Sequence, residues 1–278
     1  MLNKLLPQKI FIALQNKIAI SEITELRLRV QKPLVYCIGK AYFELNYTVE
    51  KQDLEQILGI ASGNSMYAVN NALIKGYLPY LGGIRIGVSG EGVVKEDRLS
   101  TVKNINFMCI SVPHEVLNCG KSLVGEEFCN TLILSPPSGG KTTLMRDLIR
   151  LLSKKYQILV LDERNEISAS FEGVPQLDIG VNTDVVIMPK LLAYENAIRS
   201  MRPQIIATDE IFGEKEIEAL KDIIRSGIGV LATAHAKDVQ SLVGKYNELA
   251  NIFDKFVVLS TNPIGKICGV YTKGEKNC

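Results

Sequence analysis

One loop in this 278-residue sequence has the residue types that bind phosphate groups. It lies between an apolar run that predicts a strand, Thr131 to Leu134, and a pattern that predicts a helix from about Thr142 to Leu152. The loop fits the end of the phosphate-loop pattern G-x-x-x-x-G-K-[ST], whereas Ser135 stands where that pattern begins with glycine. In order, the loop residues are Ser135, Pro136, Pro137, Ser138, Gly139, Gly140, Lys141, Thr142 and Thr143.

The chemistry of such a loop assigns a role to each of its parts. Backbone N–H groups of the loop and of the following helix N-terminus would surround the phosphate oxygens. Lys141 would reach the β- and γ-phosphates, and the Thr142 hydroxyl would bind Mg²⁺. We therefore expect residues 135–143 to bind the nucleotide, and Lys141 to take part in catalysis as well.

Carboxylates follow two other predicted strands. The strand that ends at Ala207 leads to Asp209 and Glu210, and the strand that ends at Leu161 leads to Glu163. Because the carboxyl ends of parallel strands meet at one edge of a sheet, these side chains are expected to lie beside the loop. One acid would hold Mg²⁺ through water, and another would polarise the attacking water. We predict Asp209 for the metal and leave Glu210 and Glu163 open as the general base.

A histidine follows a third predicted strand, Gly229–Ala232. His235 would lie at the same edge of the sheet and contact or sense the γ-phosphate. The connection from residue 168 to residue 189 shows no clear periodicity, and connections of this length usually carry function. We expect it to lie near the nucleotide or at a subunit interface. The arginines that could act across such an interface are Arg85, Arg98, Arg199 and Arg202.

The elements that must position these residues change in character near residue 120. In residues 119–278, short apolar runs alternate with helical patterns. This alternation predicts an α/β domain with a mostly parallel sheet covered on both faces.

The preceding residues, 1–118, predict a smaller α+β domain with antiparallel strands. A helical pattern opens the chain, and apolar and charged residues then alternate from Ile23 to Val30, which is typical of a half-buried strand. Gly39 marks a hairpin turn, and Gly90 to Gly92 a second turn. Helical spacing runs from Met66 to Ile74.

Composition excludes several classes of protein. The chain has 32 Lys and Arg against 30 Asp and Glu, so its charge gives no argument for a nucleic-acid-binding surface. No stretch approaches the roughly 18 apolar residues of a membrane span. Six cysteines without a C-x-x-C pair, with only two histidines, argue against zinc and iron–sulfur sites. We expect a cytoplasmic protein with reduced thiols, no direct nucleic-acid contact and no membrane span.

Together the motifs resemble one known family. The sequence is similar to the stage III sporulation protein AA family over roughly residues 20 to 270. The combination of motifs is far more specific than any one of them. The segments that carry the resemblance are the phosphate loop, Arg146-Asp147-Leu148, Asp162-Glu163-Arg164, Ile198-Arg199-Ser200-Met201, Asp209-Glu210-Ile211, Thr233-Ala234-His235, Glu22 to Arg29 and Lys32-Pro33-Leu34.

The resemblance implies a fold and an activity. It implies an ATPase similar to type II and type IV secretion and pilus ATPases, with a RecA-like P-loop core preceded by a smaller α+β domain. ATP and Mg²⁺ would be its cofactors. An acidic segment after the second core strand supplies the glutamate in the secretion relatives, which favours Glu163, whereas an ordinary Walker B motif favours Glu210. His235 would match the histidine box of these relatives.

The resemblance also implies partners. The chain would form a homo-oligomer, a hexamer by analogy, and dock on membrane proteins of the mother cell–forespore channel complex of endospore formers. It would lie in the cytoplasm, peripheral on the mother-cell side of the forespore membrane, and power or gate assembly or transport there.

Two positions depart from the family pattern. Asn182 stands where the family often has arginine, and Ser138 where it often has glycine. These departures leave open an ATP-binding assembly scaffold with little turnover. A further alternative is a RecA-like ATPase that acts on DNA, against which the balanced charge argues.

Overall fold

The computed structural model describes residues 1–65, 76–95, 97–211, 213–245 and 247–273. The helix predicted from Met66 to Ile74 and the side chain of Arg98 lie outside this described part of the chain. None of the helices in the described ranges combines the length and the apolar character needed to cross a lipid bilayer.

Contacts divide the chain into two compact units. Residues 1–114 and 169–176 form the first unit, and the second comprises residues 115–168 and the chain from Leu177 onwards. The predicted domains, 1–118 and 119–278, stay a prediction. The contacts add one feature that the pattern did not suggest, since the short segment 169–176 belongs to the first unit.

The first unit is a six-stranded antiparallel sheet with helices packed on one face. Its strands have the order β3-β2-β1-β6-β5-β4. Alternation along β1 buries Leu26 and Leu28 in the core shared with the helices, as predicted for a half-buried strand. The elements are α1 (Leu2–Leu5), α2 (Gln8–Gln15), β1 (Glu25–Arg29), β2 (Pro33–Ile38), β3 (Ala41–Thr48), α3 (Lys51–Ser62), β4 (Leu78–Tyr80), β5 (Ile84–Lys95) and β6 (Arg98–Ser111).

Glycine and proline explain where this unit agrees with the sequence pattern and where it does not. Gly39, at a φ of 60°, forms the predicted hairpin turn between β2 and β3. Pro7 divides the predicted N-terminal helix into α1 and α2, because proline lacks an N–H donor. The turn predicted at Gly90 was wrong, since β5 continues past it with a bulge. A Cβ at Gly90 would lie 2.5 Å from the Lys103 carbonyl oxygen, so glycine permits close approach of two strands there.

The second unit is a seven-stranded sheet with the order β13-β12-β7-β11-β10-β8-β9. All neighbouring pairs are parallel except β12 and β13. Its elements are β7 (Thr131–Leu134), α4 (Lys141–Leu152), β8 (Ile158–Leu161), β9 (Thr183–Val186), α5 (Lys190–Met201), β10 (Ile205–Thr208), α6 (Glu214–Arg225), β11 (Gly229–Ala234), α7 (Val239–Lys245), α8 (Asn247–Ile252), β12 (Lys255–Thr261) and β13 (Ile264–Thr272).

Both faces of this sheet are covered, which confirms the predicted α/β class. Successive side chains along a strand point to opposite faces of the sheet, so each buried strand contributes side chains to two hydrophobic cores. On one face Ile133 and Val160 pack with α4. On the other face Leu132 and Leu161 share a core with α5, α6 and α8. A strand buried on both faces reads as a continuous apolar run, as β7, β8 and β10 do.

Two strands of the second unit were not predicted. β9 lies within the 168–189 connection and pairs in parallel with β8, so that segment is not wholly irregular. β13 forms an antiparallel hairpin with β12 at the other edge of the sheet. Both are edge strands, β9 with mostly half-buried and β13 with mostly exposed side chains, which weakens the hydrophobic signal that identifies central strands.

Candidate active site

The phosphate loop connects β7 to α4, as predicted. Gly140 caps α4 at a φ of 90°, and Ser138 has a φ of 58°. A Cβ at Gly140 would lie 3.1 Å from the Cα of Gly265, so both backbone conformation and space favour glycine there.

Ser135 replaces the first glycine of the pattern because Gly139 makes room for it. The Ser135 side chain is fully buried and donates a hydrogen bond to the Pro136 carbonyl oxygen at 2.8 Å. A Cβ at Gly139 would lie only 1.6 Å from Ser135 Oγ. Ser135 is not among the residues with positive φ, so its backbone does not require glycine.

The loop presents free hydrogen-bond donors. Among the described residues, none accepts a hydrogen bond from the backbone N–H groups of residues 138–143. These groups lie at the N-terminus of α4, a 12-residue helix whose dipole favours negative charge at that end. The arrangement fits the phosphate groups of a nucleotide. Thr142, half-buried on the first turn of α4, fits the predicted Mg²⁺ ligand by its position.

Lys141 points back into the loop. Its Nζ donates to the carbonyl oxygens of Ser135 and Pro136 at 3.1 and 3.2 Å, and contacts His235 Nδ1 at 3.0 Å. Burial lowers the pKa of the Lys141 ammonium, and the charge of Glu210 opposes this effect. A phosphate group would compete with these neutral oxygens for the ammonium, because a charged acceptor forms the stronger hydrogen bond.

His235 connects Lys141 to Glu210. A lysine ammonium can only donate, so Nδ1 of His235 accepts from Lys141. Nε2 of His235 then carries the proton and donates to Glu210 Oε1 at 2.8 Å. The structure therefore brings the predicted Lys141, Glu210 and His235 together, through strands β7, β10 and β11 that are neighbours in the sheet.

Glu210 is held by several partners. Its second oxygen, Oε2, lies 3.2 Å from Arg164 Nη1. Burial alone would raise the pKa of this carboxyl, but the hydrogen bond from His235 and the positive charges of Arg164 and Lys141 outweigh it and lower the pKa. Glu210 is therefore a carboxylate at neutral pH, as a general base must be.

Asp209 lies in a different environment from its neighbour. It is buried, and its Oδ1 forms an ion pair with Lys190 Nζ at 3.2 Å. Burial raises the pKa of Asp209, Lys190 opposes the rise, and the nearby charges of Asp162 and Glu166 add to it. Within the described ranges no hydrogen bond joins Asp209 to Thr142. Its role as a metal ligand stays a prediction.

The acidic segment after β8 forms an ordered turn. Asp162 is fully buried and accepts hydrogen bonds from the N–H groups of Glu166, Ile167 and Ser168. Asp162 thus shapes the turn, while Glu163 is exposed. Glu163 and Glu210 both line an open cleft of about 760 Å³ beside the histidine.

Three residues that contact Asp209 or Glu210 were not assigned a role from the sequence. Lys190 was not singled out from the sequence, and Arg164 was named only within the segment Asp162-Glu163-Arg164 that carries the resemblance. Thr233 belongs to the histidine motif, but its contact with the Glu210 N–H at 2.8 Å was not foreseen. No sequence signal distinguishes Lys190, because its burial beside Asp209 and Glu216 is visible only in the structure.

Asn182 and two of the predicted interface arginines lie away from the loop. Asn182 precedes β9, accepts a hydrogen bond from the Ile158 N–H and donates to the Ser153 carbonyl oxygen, at the amino edge of the sheet. Arg199 and Arg202 are exposed and come before β10, whereas Glu210 follows it. Arg85 lies in the first unit, where its guanidinium stacks over the ring of Tyr77.

Comparison with solved structures defines the class of fold. The pilus retraction motor PilT with bound ADP superposes with a TM-score of 0.60 at 14% identity, covering 90% of this chain and 76% of that one. The Yersinia pseudotuberculosis ATPase DotB gives a TM-score of 0.56 at 15% identity, with 86% and 71% covered. The chain therefore has the α/β RecA-like fold of secretion and pilus ATPases, preceded by a smaller α+β domain.

Comparison of sequences identifies the family. The family model "Sporulation stage III, protein AA" matches residues 1–277. Stage III sporulation protein AA of Bacillus subtilis strain 168 is 32% identical over 270 residues, which cover 91% of this chain and 87% of that protein. The chain belongs to the stage III sporulation protein AA family, so the resemblance drawn from its motifs is confirmed.

Proposed function

We propose that this protein is a Mg²⁺-dependent ATPase. The observation that carries the proposal is the chain of contacts from the phosphate loop through Lys141 and His235 to the carboxylate of Glu210. These contacts connect a cation that can bind phosphate, through the single residue His235, to a carboxylate that can activate water. The fold that the chain shares with solved ATPases supports the same activity.

In this proposal the loop binds ATP through its backbone. The N–H groups of residues 138–143 and the dipole of α4 hold the phosphate oxygens, and Lys141 leaves the carbonyl groups of the loop for the γ-phosphate. Thr142 would hold Mg²⁺, with Asp209 as a second candidate, and the bound ion would neutralise charge on the phosphates.

Glu210 is the general base that the geometry favours. Its carboxylate is fixed by His235 and Arg164, and its lowered pKa keeps it ionised. Glu163 remains the second candidate, because it lines the same cleft. His235 loses a hydrogen-bond partner when Lys141 turns to the phosphate, so His235 would report the presence of nucleotide to the cleft.

Membership of the family supports a proposal for the cellular role. We infer a homo-oligomer, a hexamer by analogy with secretion ATPases, that docks on membrane proteins of the mother cell–forespore channel complex. Its place would be the mother-cell cytoplasm at the forespore membrane. ATP hydrolysis would power or gate the assembly of that complex or transport through it.

Replacement of the loop lysine tests the activity. We expect Lys141→Ala to lower ATP turnover by at least about 10²-fold, because it removes a charge from the phosphate site. Lys154→Ala, which removes an exposed lysine just after α4, is the matched control and should leave turnover unchanged. Turnover is measured as phosphate release, and ATP binding by fluorescence of a labelled analogue.

Two results would contradict the proposed activity, and a third would contradict the proposed cellular role. Equal turnover in Lys141→Ala and wild type would remove the loop from the reaction. ATP binding without hydrolysis above background, in single-turnover assays on the wild-type oligomer, would favour the assembly scaffold instead. Stimulation by single-stranded DNA would favour the ATPase that acts on DNA.

A further inference from the structure

Lys190 is a buried lysine that no motif predicts. It is the first residue of α5, and its side chain is 9% exposed. Its Nζ lies 2.9 Å from the Glu210 carbonyl oxygen, 3.2 Å from Asp209 Oδ1 and 3.3 Å from Glu216 Oε1. It also donates to the Asp209 carbonyl oxygen. The ammonium therefore joins α5 to the end of β10 and to α6.

The backbone of Glu210 has a conformation that L-residues rarely adopt. Its φ is 25°, at the edge of the left-handed region. Such a conformation persists only where surrounding contacts determine it. The Glu210 N–H donates to Thr233 Oγ1 from β11, and the Glu210 carbonyl accepts from Lys190 of α5. Both backbone polar groups of the residue are thus held, each from a different element.

This conformation decides where the Glu210 side chain goes. With the backbone turned in this way, the carboxylate reaches His235 on one side and Arg164 on the other. A different backbone conformation would change the direction of the Cα–Cβ bond and move the carboxylate away from His235.

We propose that Lys190 is a positioning residue, which holds the Glu210 carbonyl so that the Glu210 carboxylate meets His235. The effect of Lys190 on hydrolysis rests on the proposed function, in which Glu210 is the base. Its effect on the Glu210–His235 contact does not require hydrolysis. The competing explanation is that Lys190 only neutralises the buried carboxylates of Asp209 and Glu216.

A double variant separates these two roles. When ionised, Lys190, Asp209 and Glu216 carry one positive and two negative charges. Lys190→Met with Glu216→Gln leaves no positive and one negative charge, so the net charge of the cluster is unchanged while the donor to Glu210 is lost. Glu216→Gln alone keeps Lys190 and is the matched control.

The two histidines of the chain allow a readout that does not depend on activity. We expect the ¹⁵N side-chain NMR signal of His235 to move in the double variant toward its position in Glu210→Gln. The signal of His114, whose Nε2 lies 3.0 Å from the Ile23 carbonyl oxygen in the first unit, should stay in place and report an intact fold there.

Kinetics supply the second readout. We expect the double variant to lower kcat at least about tenfold relative to Glu216→Gln, because displacement of a catalytic group costs rate. The Kd for ATP should stay within about threefold, since the phosphate loop is untouched. A purely structural role would leave the His235 signal of the folded variant in its wild-type position.

The outcomes distinguish this inference from the proposed function. An unchanged His235 signal in the folded double variant would overturn the inference alone, whatever its kcat. A wild-type protein without turnover would overturn the proposed function, while the NMR signals would still decide the positioning role. If the double variant does not fold, the triple variant Lys190→Met, Asp209→Asn, Glu216→Gln replaces it, since it leaves no charge in the cluster. The His235 signal of this triple variant is compared with that of the double variant Asp209→Asn, Glu216→Gln, which keeps Lys190.

Discussion

Two glutamates at the edge of the second sheet differ in what surrounds them. Glu163 is exposed at the start of a turn, whereas Glu210 has one oxygen on His235 and the other on Arg164. A general base needs a fixed geometry as well as an available carboxylate. At the residue scale, the surroundings therefore favour Glu210, although both acids lie on the same cleft.

Glutamine variants test which acid is the base. We expect Glu210→Gln to lower kcat by about 10²–10³-fold, because an amide cannot take a proton from water. Glu163→Gln should change kcat by no more than about threefold, as expected for an exposed side chain. Phosphate release at saturating ATP measures both. The reverse order of effects would assign the base to Glu163.

The helix that follows the phosphate loop, α4, is fastened to segments on either side of it. Arg146 donates to the carbonyl oxygens of Glu166 and Ile167, and so holds the turn after β8. Asp147 accepts from the N–H groups of Asn118 and Gly120, and so holds the segment before β7. At the element scale, α4 connects the candidate site to two other segments of the second unit.

Asp147 makes the stability of the protein depend on pH. Burial alone would raise its pKa, but the N–H groups of Gly120 and Asn118 and the charge of Arg150 lower it below the ordinary value of 3.8. A group with a lowered native pKa stabilises the fold above its unfolded pKa, and the contribution is lost as the pH falls through the native pKa.

We expect Asp147→Asn to lower the free energy of unfolding by about 1–3 kcal/mol at pH 7, because it weakens several buried hydrogen bonds. The difference from wild type should shrink below about pH 4, because Asp147 of the unfolded chain takes up a proton there whereas the native carboxylate does so only at lower pH. Urea unfolding followed by circular dichroism measures the difference at each pH.

A second aspartate on another helix provides the control for this prediction. Asp222 pairs with Arg225 at the same spacing as Asp147 with Arg150, but its side chain is 71% exposed. Asp222→Asn should cost less than about 1 kcal/mol, as for other exposed ion pairs. Equal losses in the two variants would contradict the role given to the buried contacts of Asp147.

At the scale of the whole molecule, the candidate site remains open. The cleft beside Glu210 has a volume of about 760 Å³ and is lined by charged side chains that include Glu163, Arg164 and Lys215. Water must be excluded around the reacting groups before hydrogen bonds there reach their full strength. In the proposed ring, a neighbouring subunit would close the cleft.

We expect ATP and Mg²⁺ to assemble Glu210→Gln into a species of about six times the 30.7 kDa chain mass, because this variant should bind ATP without hydrolysing it. Size-exclusion chromatography with light scattering measures the mass. Lys141→Ala should stay smaller under the same conditions. A variant that remains a monomer with saturating ATP would contradict the ring.

The sequence alone determined the fold class and most of the candidate site. The phosphate loop, the acids after β8 and β10 and the histidine after β11 are each specified by a short segment, in which an apolar strand ends in polar residues. Because parallel strands bring their carboxyl ends to one edge, local patterns were sufficient to place these residues together.

Only the tertiary structure decided the contacts between segments that are distant in sequence. Gly139 leaves the space that the Ser135 side chain occupies. Lys190 and Thr233 hold the backbone of Glu210. Both sets of contacts arise from the packing of separate elements. Asn182 lies at the amino edge of the sheet because β9, an edge strand with a weak hydrophobic pattern, pairs with β8. Patterns along the chain specify which side chains are buried, whereas which of the buried polar groups meet depends on how helices and strands pack.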